Sequence, residues 1–478
     1  MNLLPVGLLI QCMKNSNGGG DGSSSGSSSS DISPWDIIAT HPTGAASGNA
    51  SYIADRAFAS YYGLTEANFP KATSIGVMAF HGCYSLTNIS FPEAIYIGSN
   101  AFDNCNSLID ISFPKATSIE SYAFYYCSRL TSANFPKVTS IGGNAFYNCN
   151  SLIDIDFPEV TTIGNNAFYA CYSLKNISFP EVTYIGNSAF YGCNWLKNVN
   201  FPKVTFIGSS AFYSCILTNA NFPEVTTIGS AAFYSCRSLT NANFPEVSLI
   251  ENSTFYNCYS LTNASFPKVT PIGSYAFQNC SSLTDIYFPE ATTIMNSAFC
   301  NCDSLINIDF PNVTFIGSAA FALCNKLTSV NFSKITSIGY AAFSTCNLLT
   351  NVNFPMATYI ASSAFQSCSS LTDIDFPEVN IIGSNAFMNC YSLTNASFPK
   401  VTSIGGSAFY SCYSLQSLFL TSVSKVPSLF NASVFAYTPM SYSSYLGEFG
   451  SIYVPSSLYS SFITATYWSK YSSRIVSV

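Results

Sequence analysis

Charge is scarce in this chain. Asp, Glu, Lys and Arg make up 9% of its 478 residues, against roughly 25% in typical soluble proteins. The 17 basic residues are dispersed, with no Lys/Arg block, which excludes a basic footprint for nucleic acid. The net charge of −7 is mild, and Asn, Ser, Thr and Tyr supply the polar surface instead. There are 2 histidines, His41 and His81, and each reads as a solvated polar residue. Glycine-rich phosphate loops, metal-ligand clusters and carboxylate pairs are missing, and the serines lack a base. These absences point away from catalysis, cofactors and metals. No run of 18 apolar residues occurs, so no segment reads as a membrane-spanning helix.

What the chain has is a period. A Phe, usually followed by Pro, recurs at Phe69, Phe91, Phe113, Phe135, Phe157, Phe179 and Phe201, then from Phe222 to Phe398. Each interval is 22 residues except Phe201 to Phe222, where one residue is missing after Cys215. A fixed period of this length means one unit stacked on itself around a continuous core. Within one unit, Leu152, Ile155 and Phe157 follow the L-x-x-L-x-L spacing of a leucine-rich repeat strand. Side chains alternate along a strand, so Asp154 and Asp156 point outward when Ile155 and Phe157 point inward. Pro158 ends the strand. Val138 to Ile141 reads as a second short extended segment, Gly142 as a turn, and Asn144 to Cys149 as a helical or 3-10 closing turn. Val138, Ile141, Ala145, Phe146, Cys149, Leu152, Ile155 and Phe157 are the expected core layer.

Sixteen of the 18 cysteines fall in one column of the repeat, from Cys83 to Cys412, leaving Cys12 and Cys300 outside it. Stacked parallel strands lie about 4.8 Å apart, whereas a disulfide wants its Cβ atoms near 3.8 Å. The column is therefore expected to hold free, buried thiols.

The pattern A-F-x-x-C-x-S-L-T-x-[IA]-x-F-P-x-[VA]-T-x-I-G resembles the BspA-like, or Treponema pallidum-type, leucine-rich repeat. That resemblance implies an α/β repeat solenoid: a right-handed coil with parallel strands on one face and short turns or 3-10 segments on the others. It also implies a surface or secreted protein that adheres to proteins, cells or glycans. Residues 451–474 resemble a terminal module of related proteins from gut bacteria and their phages, read as a strand ending at Pro455 and a helix capped by Ser456 or Ser457. The division expected is 1–12 as a signal or lipoprotein segment, 13–32 as a Gly/Ser-rich tether, and 33–68 as a lead-in and capping repeat. The solenoid then spans 69–420 and a capping module 421–478. Leu3 to Ile10 followed by Cys12 resembles the start of a bacterial lipoprotein, although no Lys or Arg precedes it and Gln11 stands where a small residue is wanted. A lipidated Cys12 is one reading; a frayed terminus with an incidental Cys is the other.

Because the core columns barely vary, recognition must be read from outward ones. Two polar columns flank the inward strand residues and include Asp154, Asp156, Asn176 and Asn198. They suit water-rich recognition of a glycan or protein, or simply mutual bonding that stabilises the sheet. Tyr125, Tyr147, Tyr169, Tyr191, Tyr213, Tyr234 and Tyr256 form an aromatic column expected to be largely outward, a candidate binding stripe or a copied, harmless residue. A Lys/Glu column after the Pro has eight adjacent pairs of opposite sign and three alike, which favours cross-strand pairs. One outward Thr per layer (Thr117, Thr139, Thr161) falls short of the two that flat ice-binding solenoids present. The reading is a non-enzymatic surface-displayed or secreted protein that binds an extracellular protein or glycan, with no nucleic acid as partner. Membrane contact would come only through an N-terminal lipid. The alternatives are a phage tail-associated or receptor-binding protein and a structural spacer.

Overall fold

The computed structural model describes residues 44–441 and 449–478. Each turn of the chain lays down one two-residue and one three-residue strand, as Ser140–Ile141 and Asp154–Asp156 do. Both pair in parallel with the same columns one repeat away: Asp154 with Ser132, Ile155 with Ala133, Ser140 with Ser118 and Thr162. Asp154 and Asp156 are exposed and Ile155 packs against the core, partly buried.

The closing segment differs from the expected helical or 3-10 turn. N–H groups alternate in direction. Ala145, Tyr147 and Cys149 donate back three residues to Gly142, Asn144 and Phe146 at 3.2–3.3 Å, while Asn144, Phe146 and Asn148 donate to Asn165, Ala167 and Tyr169 of the next layer at 2.8–2.9 Å. The alternation needs left-handed backbone at Asn144 and Asn148, both at φ 58. A helix would satisfy its own donors; this run of tandem turns uses half of them to bind the neighbouring layer. Helix among the described residues is confined to Tyr459–Thr464, with 3-10 turns at Ser456–Leu458 and Trp468–Arg474. The architecture is thus a parallel β-solenoid with few helices, and the α/β class is corrected accordingly.

Left-handed backbone costs an L-residue roughly 1–2 kcal/mol, least for Asn. Asn fills the second left-handed column at Asn104, Asn148, Asn257, Asn279, Asn301 and Asn389, but Thr345 sits there at φ 64. Thr345→Asn is expected to raise stability by about 1 kcal/mol, read as a higher urea midpoint at unchanged slope. The layers also approach closely after the two-residue strand: a Cβ on Gly142 would lie 2.5 Å from the Ser121 nitrogen of the preceding layer.

The core is two interlocked columns of phenylalanine. Phe146 stacks on Phe168 with centroids 5.3 Å apart, Phe135 on Phe157 at 5.2 Å, and Phe146 meets Phe157 edge-on at 5.9 Å and 67°. The offset and edge-to-face contacts are those aromatic quadrupoles favour. At the C-terminal end, Ser451–Val454 and Ile475–Ser477 continue the strand face beyond Ser417–Phe419. Phe462, Trp468 and Tyr471 cover the last ring, Phe435. Trp468 Nε1 donates to Pro427 O at 2.7 Å and the Tyr471 hydroxyl to Ala432 O at 2.9 Å. Neither serine caps the helix as expected: its N-cap is Leu458 with no side-chain bond, and the Ser456 hydroxyl donates to Val478 O at 2.9 Å.

The two sides of the coil differ in continuity. The two-residue strands from Tyr52–Ile53 to Thr227–Ile228 form one unbroken nine-stranded sheet. The three-residue strands instead fall into separate groups, interrupted between residues 90 and 110, 156 and 176, 200 and 219, 287 and 307, and 353 and 373. Where the ladder runs on, the Phe after each strand donates to the next layer, as Phe69 does to Ser90 O and Phe135 to Asp156 O at 3.0 Å. At the interruptions the equivalent bonds of Phe91, Phe157, Phe201, Phe288 and Phe354 are not made. At three of the five interruptions the inward residue accounts for the break. Ala133 lies between Ile111 and Ile155 and the ladder holds. Ile89 meets Ile111, Ile155 meets Ile177 and Ile286 meets Ile308, and in each case it parts. Within the repeats, two isoleucines in successive layers compete for one core position and the strands part; only in the C-terminal module, where Ile475 follows a 3-10 turn, do facing isoleucines (Ile452 and Ile475) stay paired.

Candidate functional site

The tyrosine column is placed differently from the sequence expectation. Its rings are half-buried rather than largely outward, and each lies flat on the next. Tyr147, Tyr169 and Tyr191 stack at 4.6 Å and 2–6°. Tyr191–Tyr213, Tyr213–Tyr234 and Tyr234–Tyr256 follow at 4.5–4.7 Å, and Tyr125 joins Tyr147 at 5.0 Å. The faces that would stack on a sugar or a partner's side chain are occupied by neighbouring rings. Only edges and hydroxyls remain. Burial, and then the neighbouring phenols, push Tyr147 and Tyr169 above the ordinary phenol range. His81 heads the same column, half-buried, with Nδ1 3.0 Å from the buried Asp103 carboxylate. Asn100 and Asn104 also donate to Asp103, so this histidine is tied down rather than solvated.

On the strand face, the polar columns bond to one another along the stack. Asn198 donates to Asn176 at 2.7 Å, Asn200 to Ser178 at 2.9 Å, Asn243 to Asn221 at 2.9 Å and Asn353 to Asn331 at 2.7 Å. Asp154 and Asp156 are exposed and take no side-chain partner among the described residues. Where the ladder is interrupted the face is indented. A crevice of about 430 Å³ opens beside Ile89, Asp110 and Ile111. Others of about 230 Å³ and 300 Å³ open beside Asp154, Ile155, Asp156 and Asn176, and beside Asp285, Ile286 and Asn307. Sequence reasoning named Asp154, Asp156 and Asn176 but missed the crevice they line. Its signal was present, as Ile recurring in the same column of adjacent repeats.

The remaining columns are structural. Lys115–Glu93, Lys203–Glu181 and Lys400–Glu378 pair across layers at 2.5–2.6 Å, and Lys268 pairs with Glu246. All are exposed and each adds little. Thr161 and Thr205 hydroxyls donate to the carbonyls of Thr139 and Thr183 at 3.0–3.1 Å. The column cysteines are free thiols and do more than fill space: Cys149 Sγ donates to Phe124 O of the preceding layer at 3.2 Å, and the bond recurs along the stack. Burial pushes the Cys83 thiol up to about 12 and those within the stack well above their ordinary value. In the native protein a disulfide-exchange reagent should therefore modify Cys300, at 9% exposure, before any column thiol. All column thiols should titrate after denaturation. Cys12 and His41 lie outside the described residues. Among the described residues no group of three or more metal-ligating side chains occurs, and no helix is long and apolar enough to cross a membrane.

A leucine-rich repeat protein from Bacteroides ovatus is 25% identical, with a TM-score of 0.50 over 67% of this chain and 91% of its own. A leucine rich cell surface protein from Faecalibacterium prausnitzii is 27% identical over 64% of this chain and 83% of its own, at a TM-score of 0.35. For a leucine-rich repeat protein from Eubacterium ventriosum the values are 22%, 70%, 88% and 0.42. No curated protein matches. The sequence model of the BspA type leucine rich repeat region (6 copies) matches residues 51–174, 161–268, 248–360 and 336–453. With four overlapping matches spanning nearly the whole described coil, the chain belongs to the BspA type leucine-rich repeat family.

Proposed function

We propose that the protein is a surface-displayed or secreted recognition protein that binds an extracellular protein through its strand face, without chemistry of its own. The observation that carries this reading is how each exposed column spends its bonding capacity. Four Lys/Glu pairs neutralise much of the charged column and the Thr hydroxyls bond to the backbone, and the tyrosine faces are stacked away. The strand face keeps exposed carboxylates without side-chain partners, Asp154 and Asp156, beside an indentation in the sheet. A fold of this kind is typically a non-enzymatic binding scaffold, and no enzyme family matches.

The test is an array of extracellular-matrix proteins, mucins and glycans probed with the full chain and two variants. One variant carries Ser at Asp154, Asp156, Asn176 and Asn198; the other carries Phe at Tyr147, Tyr169, Tyr191 and Tyr213, which keeps the stack. Loss of a hit in the first variant alone supports the strand face. Loss in the second alone moves the site to the tyrosine hydroxyls. No saturable hit with any of the three leaves a spacer as the better description.

A further inference from the structure

The strand face carries seven aspartates, and their positions are not random. Asp110, Asp154, Asp156, Asp285, Asp309, Asp373 and Asp375 all stand in layers that border an interruption of the ladder. Continuous stretches carry Asn and Ser in the same two columns, as Asn241–Asn243 and Asn263–Ser265 do. The fifth interruption, between Asn200 and Asn219, follows the one-residue deletion and has no aspartate.

Each of the other four gaps combines three features. Its inward residue is aliphatic and only partly buried: Ile89, which lines the first crevice with Ile111; Ile155 and Ile286, which line the second and third; and Val352 at the fourth gap. At its entrance a carbonyl loses the N–H of the next layer. Lys197 N–H donates to Lys175 O at 2.8 Å where the sheet is whole, but the carbonyls of Thr87, Ile153, Thr284 and Thr350 accept no such bond. Its rim is anionic and not neutralised. Asp110 accepts from Ser132 at 2.7 Å and Asp373 from Asn395 at 2.6 Å, both uncharged donors. Among the described residues no ion pair reaches any of the seven, although Lys175 and Lys197 stand on the same face.

Acceptor oxygens around an aliphatic slot suit one kind of group: a cation on a methylene stem, which buries its stem while its head stays at the polar rim. We infer that these four gaps, three of them open as crevices, are sockets for lysine or arginine side chains presented by an extended segment of the protein partner. This inference rests on the strand-face reading above and names the chemistry of the ligand. The gaps are three, six and three layers apart along the stack. At about 4.8 Å per layer these steps are roughly 14, 29 and 14 Å. An extended chain advances about 3.3 Å per residue, so cationic residues about four or nine positions apart would reach successive sockets.

The probe is a fluorescein-labelled 20-residue peptide with Lys at every fourth position in a Ser/Thr background, read by anisotropy against the full chain. Binding should be saturable, weaken with salt, and fall at least about tenfold when the lysines are acetylated. D154N together with D285N should weaken it by a similar factor. The decisive variants are Ile177→Ala and Ile308→Ala, which leave every charge in place. Ala beside Ile lets the ladder close, as at Ile111 and Ala133, so these variants should also lose at least about tenfold. Equal binding of the acetylated peptide, or unchanged binding by the Ile→Ala variants, overturns the socket assignment. Unchanged circular dichroism and melting show that those variants fold; if they do not, the aspartate variants and the acetylated peptide still decide the question. If the peptide fails while an array ligand is still lost with the strand-face substitutions, this inference is wrong and the recognition reading stands. Should the array also yield nothing, the recognition reading itself fails.

Discussion

Raised above pH 8.5, the solenoid is expected to lose stability steeply, and the cysteine column is the reason. Burial holds the column thiols protonated in the folded stack far above the ordinary thiol range. An unfolded thiol ionises at about 8.5. Their folded pKa is raised, so the stability they contribute is fully present below the unfolded value and is lost as pH rises toward the folded value. Each layer that unfolds releases one proton in this window, a loss of about 1.4 kcal/mol per layer per pH unit. Nearest-neighbour stacking multiplies the effect over every layer that opens together. Tyr125, Tyr147, Tyr169, Tyr213 and Tyr234, also raised by burial, add to the loss above about pH 10. Thermal melts in a reducing buffer at pH 7.5, 8.5, 9.5 and 10.5 measure it. A midpoint flat to pH 9.5 would contradict the buried-thiol column.

The second large effect concerns the tyrosine ladder. Replacing Tyr147, Tyr169, Tyr191 and Tyr213 with Ser removes the five ring contacts from Tyr125 to Tyr234. Such contacts are worth about 0.5–1.5 kcal/mol each beyond their area, so a loss of about 2.5–7.5 kcal/mol is expected in chemical denaturation. The fourfold Tyr→Phe variant keeps the stack and should lose less than about 1 kcal/mol. Rings that pointed outward, as the sequence implies, would cost little to remove. A Ser variant as stable as the parent would restore that view.

What could be read from the residues follows from what each property depends on. Strand, core and thiol columns depend on period and polarity within one repeat, and Phe157, Ile155 and Cys149 sit as their spacing implies. Tandem left-handed turns were hidden because their positions hold mostly Asn, Ser, Ala and Tyr, with Gly only at Gly82 and Gly192. The tyrosines' burial depends on the match between layer spacing and ring thickness, which one repeat does not display. The interruptions depend on pairs of residues one repeat apart, such as Ile155 and Ile177, each unremarkable alone. Of the candidate site, Asp154, Asp156 and Asn176 were legible as outward polar residues, but the crevice beside them was not.

The unequal continuity of the two sheets has a mechanical meaning. From Tyr52 to Ile228 the solenoid is a beam with an unbroken spine along one edge and joints along the other, at residues 90–110, 156–176 and 200–219. Flexing that stretches the spine must break ladder bonds, whereas flexing that widens a joint breaks none at the first two and only the Thr218 N–H to Lys197 O bond at the third. A load applied along the strand face would therefore bend this half of the beam in one direction only, at three fixed places, and at the first two would open the very crevices on which it pulls.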